Sequence, residues 1–146
     1  MIRSAIVDRE IDLTGLIAEA RSDGAGAVSV FIGTVRDLSE GRSVERLEYD
    51  AYRAMAESEL ADIVREASER FEISAIVAEH RVGELSVGDI SVAIASAHAH
   101  RSAALECTRF VIEEIKKRVP IWKRERFVDG TSEWVDPSAH TRVAAR

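Results

Sequence analysis

The chain has one cysteine, Cys107, and two prolines, Pro120 and Pro137, in 146 residues. A lone thiol forms no internal disulfide and no cysteine-rich zinc site. Any sulfur chemistry performed here therefore draws its sulfur from outside the chain. With both prolines late and no Pro/Gly-rich tract, nothing divides the sequence, and residues 1–146 read as a single domain with a tail from about 136 that is loose or docked on a partner. Aromatics make up 5% of the residues, too few for the stacking platforms that hold single-stranded nucleic acid, and a net charge of −6 argues against a polyanion as partner. No apolar run approaches the roughly 18–20 residues that span a bilayer. The opening MIRSAIVDREIDL places acids where a secretory signal holds an unbroken apolar core. A cytoplasmic protein, with neither membrane nor nucleic acid as partner, is the expectation.

What is present is an uneven charge. Residues 98–126 hold eight Lys/Arg against four Asp/Glu, so this stretch is +4 and the remainder −10. A local basic zone on an acidic protein suits a small anionic ligand. It is equally what a solvated helix face produces.

Periodicity predicts the elements. Residues 2–7 read as a strand, followed by a helix capped by Asp12 and running to about Ser22. AVSVFIGTVR alternates, with Val28, Val30 and Ile32 on one side and Ser29, Phe31 and Gly33 on the other, so it is a strand; the polar DLSEGRS is a mobile loop and VERLEYDAY a further strand. Ala56, Leu60, Ile63, Val64, Ala67 and Phe71 form one helical stripe. ISAIVAEHRVG is a strand, GELSVGD a turn and ISVAIASA a central strand. A second long helix runs from about His100 to Arg118 and is ended by Pro120; IWKRERF and SEWV follow as short strands. Adjacent strands on short connections among helices give an α+β fold with a mixed or mainly antiparallel sheet.

Four clusters could carry chemistry. In FIGTVR, Gly33 permits close approach within a strand and Arg36 stands at the strand's end; a bulge glycine and a surface arginine read the same way. In AHAHRSAALE, His100 and Arg101 open a helix, where free N–H groups and the dipole favour an anion; capping and solvated roles remain open. His98 and His100 lack a third ligand nearby, so no metal site is expected. In KKRVPIWKRE, Lys116 and Lys123 flank the proline break, and a chain that turns back there brings both ammonium groups into one cleft, each lowering the other's pKa. A basic helix C-terminus serving the dipole is the alternative. In EHRVGELSVGD the glycines are structural, while His80 and Arg81 are undecided. Cys107 falls on an apolar stripe and reads as a buried structural thiol.

Taken in order, GAVSVFIGTVRD, LEYDAYRAMAE, EHRVGELSVGD, HRSAALE, KKRVPIWKRE, DG and EWV, over roughly residues 24–135, resemble the large, catalytic subunit family of molybdopterin synthase. The resemblance implies an α/β-hammerhead-like fold with a small additional subdomain. It implies a homodimer in which each large subunit holds a small ubiquitin-like sulfur carrier, making a heterotetramer. The carrier ends in Gly-Gly and bears a C-terminal thiocarboxylate. The implied activity is transfer of that sulfur onto cyclic pyranopterin monophosphate, giving the dithiolene of molybdopterin with no tightly bound cofactor. It implies Lys116 and Lys123 as catalytic residues and Arg36, His100, Arg101 and Arg124 as substrate-binding ones. The chain departs from the family's pattern at Leu105, where an aromatic is usual, and in carrying His98; whether Arg142 or His140 supplies a basic residue across the dimer is open. Outside the resemblance, the alternative is a non-catalytic anion- or nucleotide-binding module on the same scaffold.

Overall fold

Helix α2 (Arg53–Phe71) organises the core, because its stripe of Ala56, Leu60, Ile63, Val64 and Ala67 is buried along the whole length. It packs beside α3 (Arg101–Arg118), whose inner residues are Ala104, Cys107, Thr108, Val111 and Ile115. Arg118 fastens the two helices, donating to Glu59 and Glu114 at 3.2 and 3.5 Å and to Glu66 at 2.7 Å. The structure, a computed structural model, describes residues 1–136 and 141–144, with side chains described through Val135.

Strands β1 (Ile2–Val7), β2 (Ala27–Thr34), β5 (Ala75–Arg81) and β7 (Ile90–His98) form one sheet in the order β1-β5-β7-β2. Only β1 and β5 are parallel. The long helices cover one face of it. The other face carries the short α1 (Leu13–Ala20), whose N-terminal amides are capped by the Asp12 carboxylate accepting from the Gly15 amide at 3.1 Å. The second sheet is antiparallel: β10 (Thr141–Ala144), β9 (Ser132–Asp136), β8 (Ile121–Phe127), β4 (Arg42–Ala51) and β3 (Leu38–Ser39), with β6 (Gly83–Ser86) also paired to β4. One apolar cluster joins Leu47 and Phe127 of this sheet to Leu60, Ile76 and Val111 of the first layer. The expected α+β architecture is therefore present, built on two sheets that share one core. Among the described residues no helix is long and apolar enough to cross a membrane.

Two segments differ from the sequence reading. DLSEGRS is not a loop but a tight hairpin between β3 and β4, with Glu40 and Gly41 both at positive φ (50° and 79°), the geometry that matches strand twist in a two-residue turn. GELSVGD is not only a turn, since Gly83–Ser86 pairs with β4 before the chain reverses at Gly88. Where the tail expected to be loose or docked on a partner is described, its backbone pairs with this chain's own β9 over Thr141–Ala144; residues 137–140 lie outside the described residues. His140 lies outside the described residues, and Arg142 is placed by its backbone in β10, opposite Val135.

The outward side of β2 is unexpected for its composition. Val28, Val30 and Ile32 are 38%, 39% and 41% exposed, because α1 packs mainly on β7 and β5 and only grazes β2. β2 is also the last strand of its sheet.

Candidate active site

β4 and β8 pair so that Tyr49 lies opposite Lys123 and Leu47 opposite Glu125. Opposed residues share a face of an antiparallel pair, and so do alternate residues of one strand. Lys123 therefore stands on the inward face between Ile121 and Glu125, both buried. Tyr49, also buried, is the hub of this face. Burial holds its phenol above the ordinary 10.0; a hydrogen bond with Ser91 acts against that, the Glu125 carboxylate adds to it, and the Arg36 guanidinium opposes it. Ser91 reaches Tyr49 through a β-bulge: Gly33 pairs with Val92 and Thr34 with Ile90, which leaves Ser91 as the extra residue. The Ser91 hydroxyl also donates to the Gly33 carbonyl at 3.2 Å. A Cβ at Gly33 would come within 2.7 Å of Val92 Cγ1, so the bulge is built around a glycine.

The His80 ring meets Tyr49 edge-on, with centroids 5.2 Å apart at 76°. His80, Tyr49 and Lys116 line one small niche walled by Val92, Ile112, Ile115, Val119 and Ile121. Its apolar lining explains the titration of both bases. Burial pushes the His80 imidazole down to about 4, against the opposing bond to the Arg81 carbonyl and with the nearby Lys116 charge adding to the fall. Desolvation lowers Lys116 below the ordinary 10.5. The Lys116 side chain nevertheless stays open to solvent at the lip of the niche, so the amine is crowded but reachable. Val119, whose amide donates to the Ile115 carbonyl at 3.1 Å, closes α3, and Pro120 then turns the chain into β8. Both lysines thus neighbour Tyr49, Lys116 from a helix end across the niche and Lys123 from the paired strand, although only Lys116 lines the niche. Arg36 adds a third cation at the same end, just past Val35, which the β6–β7 turn pins through the Asp89 carbonyl and the Gly88 amide.

The expected anion cradle is not assembled within one chain. His100 and Arg101 are exposed at the N-terminus of α3. Fifteen residues of helix separate Arg101 from Lys116, about 22 Å at 1.5 Å per residue. Arg36 is as remote from them, since β2 runs from Ala27, opposite His98, to Thr34, opposite Ile90, about 23 Å of strand. Arg124 is also corrected. It alternates with Lys123 to the outer face, where it pairs with Glu48 at 2.6 Å and lies over the Trp134 ring. His98 gains a role: its Nδ1 accepts from the His100 amide at 3.0 Å and fixes the entry to α3. Cys107 is buried, and desolvation raises its thiol to about 11, which makes it inert as a nucleophile.

Patterning alone does not single out Tyr49, Ser91 or Glu125, and it leaves the role of His80 open. The available signal was a charge at Glu125 on an inward-facing strand position and a polar ring at Tyr49 in another.

Comparison with known proteins agrees with this arrangement. The family model described as MoaE protein matches residues 6–118. The molybdopterin synthase catalytic subunit of Halalkalibacterium halodurans is 40% identical over 139 residues, covering 95% of this chain and 88% of that protein. The catalytic subunit of the same name from Bacillus subtilis is 40% identical over 141 residues, covering 97% and 89%. Among solved structures, molybdopterin synthase from Staphylococcus aureus superposes with a TM-score of 0.84 at 40% identity, covering 89% of this chain and 94% of that one. With the model matching well over half of its length and relatives at this identity across nearly all of it, the chain belongs to the MoaE protein family.

Proposed function

We propose that this chain is the catalytic subunit of a molybdopterin synthase and moves sulfur from the C-terminal thiocarboxylate of a small ubiquitin-like carrier onto cyclic pyranopterin monophosphate. The observation that carries the reading is the convergence of Lys116, Lys123 and Arg36 around buried Tyr49 beside a small apolar niche. A thiocarboxylate is already a sulfur nucleophile, so the protein's part is to stabilise negative charge at the acyl carbon and to deliver protons to leaving oxygen. Lys116, at the lip of the niche, serves the acyl group. Lys123, on the strand, serves the pterin. No resident cofactor is needed in this reaction. The proposed compartment is the cytoplasm, where a lone reduced cysteine is ordinary.

The phosphate contacts require a second copy. β2 offers a free edge and an uncovered apolar stripe. A two-fold axis crossing β2 near Val30 would set the Ala27 end of one copy against the Thr34 end of the other. His100 and Arg101 of one protomer then approach Arg36 and the lysines of its partner. The phosphate would sit on the α3 N-terminus, where unpaired amides, the dipole and a guanidinium favour an anion. The homodimer, with one carrier on each copy, is in this reading the active form.

Arg124 has no place in this site. Arg124→Ala is expected to leave KM for the phosphorylated pterin within about twofold of wild type, its half-exposed pair with Glu48 costing at most about 1 kcal/mol of stability. Steady-state kinetics at fixed carrier concentration checks this; a large rise in KM would return Arg124 to the site. The reading as a whole is tested by mixing the chain with thiocarboxylated carrier and cyclic pyranopterin monophosphate. Dithiolene product is expected. Its absence, in a mixture that the Bacillus subtilis subunit turns over, would overturn the assignment.

A further inference from the structure

His80 is buried, polar and unused by the chemistry above. A histidine packed only for volume would be replaceable by an apolar ring without desolvating an imidazole. This one is oriented. Its Nδ1 lies 2.9 Å from the Arg81 carbonyl, and because a carbonyl only accepts, Nδ1 carries the proton and Nε2 keeps a lone pair. Tyr49 packs edge-on against the ring and fixes its plane. The lining of the niche that the ring enters has one cation, Lys116.

We propose that His80 is a positioning residue for Lys116: the Lys116 amine, which makes no bond to the ring in this structure, turns from the lip into the niche that both side chains line and donates a hydrogen bond to the lone pair on Nε2. The groups around this pair come from every packed element. β4 contributes Tyr49, β8 contributes Lys123 and Glu125, the residue after the β2 bulge segment is Arg36, and β7 offers the uncharged Ser91. The apolar wall opposes a proton on Lys116 by desolvation. A neutral acceptor at Nε2 supports the ammonium without adding a charge. The low basicity of His80 keeps it neutral across the physiological range. The role of the ammonium in sulfur transfer rests on the function proposed above, whereas the contact itself does not.

The test is an NMR titration of the full chain, following the Lys116 side-chain resonances, assigned by their loss in Lys116→Arg. His80→Phe keeps a ring against Tyr49 and removes the acceptor, so the Lys116 midpoint should fall by about one pH unit. His80→Gln restores an acceptor and should bring it most of the way back. Coincident midpoints in wild type and a folded His80→Phe would overturn the proposal. A second measurement needs no substitution at His80: the wild-type ring should show a protonated Nδ1 and an unprotonated Nε2 whose resonance moves in Lys116→Ala. A proton on Nε2, or a resonance indifferent to Lys116, would contradict it. Sulfur transfer failing in the wild type would sink the functional reading and leave these titrations as they are.

Discussion

Lys116→Ala is expected to lower the rate of dithiolene formation by about 10²–10⁴-fold, the range for losing a positioned proton donor or charge stabiliser. Binding of the carrier is expected to change little, because this side chain contributes one amine at the rim of a niche rather than a broad contact area. Single-turnover kinetics with saturating carrier separates the two effects. The pH dependence follows in sign. Lys116 is needed as ammonium, and desolvation sets its pKa below 10.5, so activity falls as pH rises through that lowered value, earlier than an ordinary lysine would allow. Lys116→Arg, which stays charged throughout this range, should remove that alkaline limb whatever its residual rate. An unshifted limb in Lys116→Arg would assign the titration to another group.

The second large effect is expected at a residue that touches no substrate. Val30 is 39% exposed in the middle of the β2 stripe, so Val30→Asp should leave the isolated fold intact. At a two-fold contact each substitution is made twice, and two carboxylates would face each other across a desolvated patch. Such a juxtaposition costs several kcal/mol, weakening the dimer by roughly 10²–10³-fold. Sedimentation at micromolar concentration should show a monomer. Sulfur transfer should fall with it, because a monomer keeps Lys116, Lys123 and Arg36 while His100 and Arg101 sit some 20 Å or more away. A monomeric variant with wild-type turnover would place the whole site in one chain.

Much of the fold was legible. The α2 stripe follows from a 3.6-residue period that burial enforces and the stop after α3 from Pro120, while β2 alternates with period 2 although its Val28, Val30 and Ile32 side stays exposed. The lysine pair was legible too, because a proline directly after a helix end reverses the chain within a few residues. The hairpin at Glu40–Gly41 was hidden by a polar composition that loops and turns share. Tyr49 was hidden for a different reason: its position in LEYDAY shows an inward-facing ring, but only the register of β4 on β8 reveals Lys123 beside it. The separation of the phosphate residues from the lysines within one chain was legible as well. Arg101 and Lys116 were read on one helix, and the rise of that helix alone sets them about 22 Å apart. Arg124 was equally readable, since neighbours on a strand face opposite ways. What no period or spacing carries is the proposed meeting of the two ends of the molecule through a second copy.

That meeting is the central claim, and a mixed dimer tests it most directly. Chains carrying Lys116→Ala and chains carrying Arg101→Ala are each expected to be nearly inactive alone. Co-expressed, half of the dimers formed at random are mixed, and each of these holds one site with both defects and one with none. Recovery of roughly a quarter of wild-type sulfur transfer is therefore the predicted result. If both residues served the same site within one chain, every site in the mixture would be damaged, and the absence of any recovery in a preparation shown to contain mixed dimers would contradict the account.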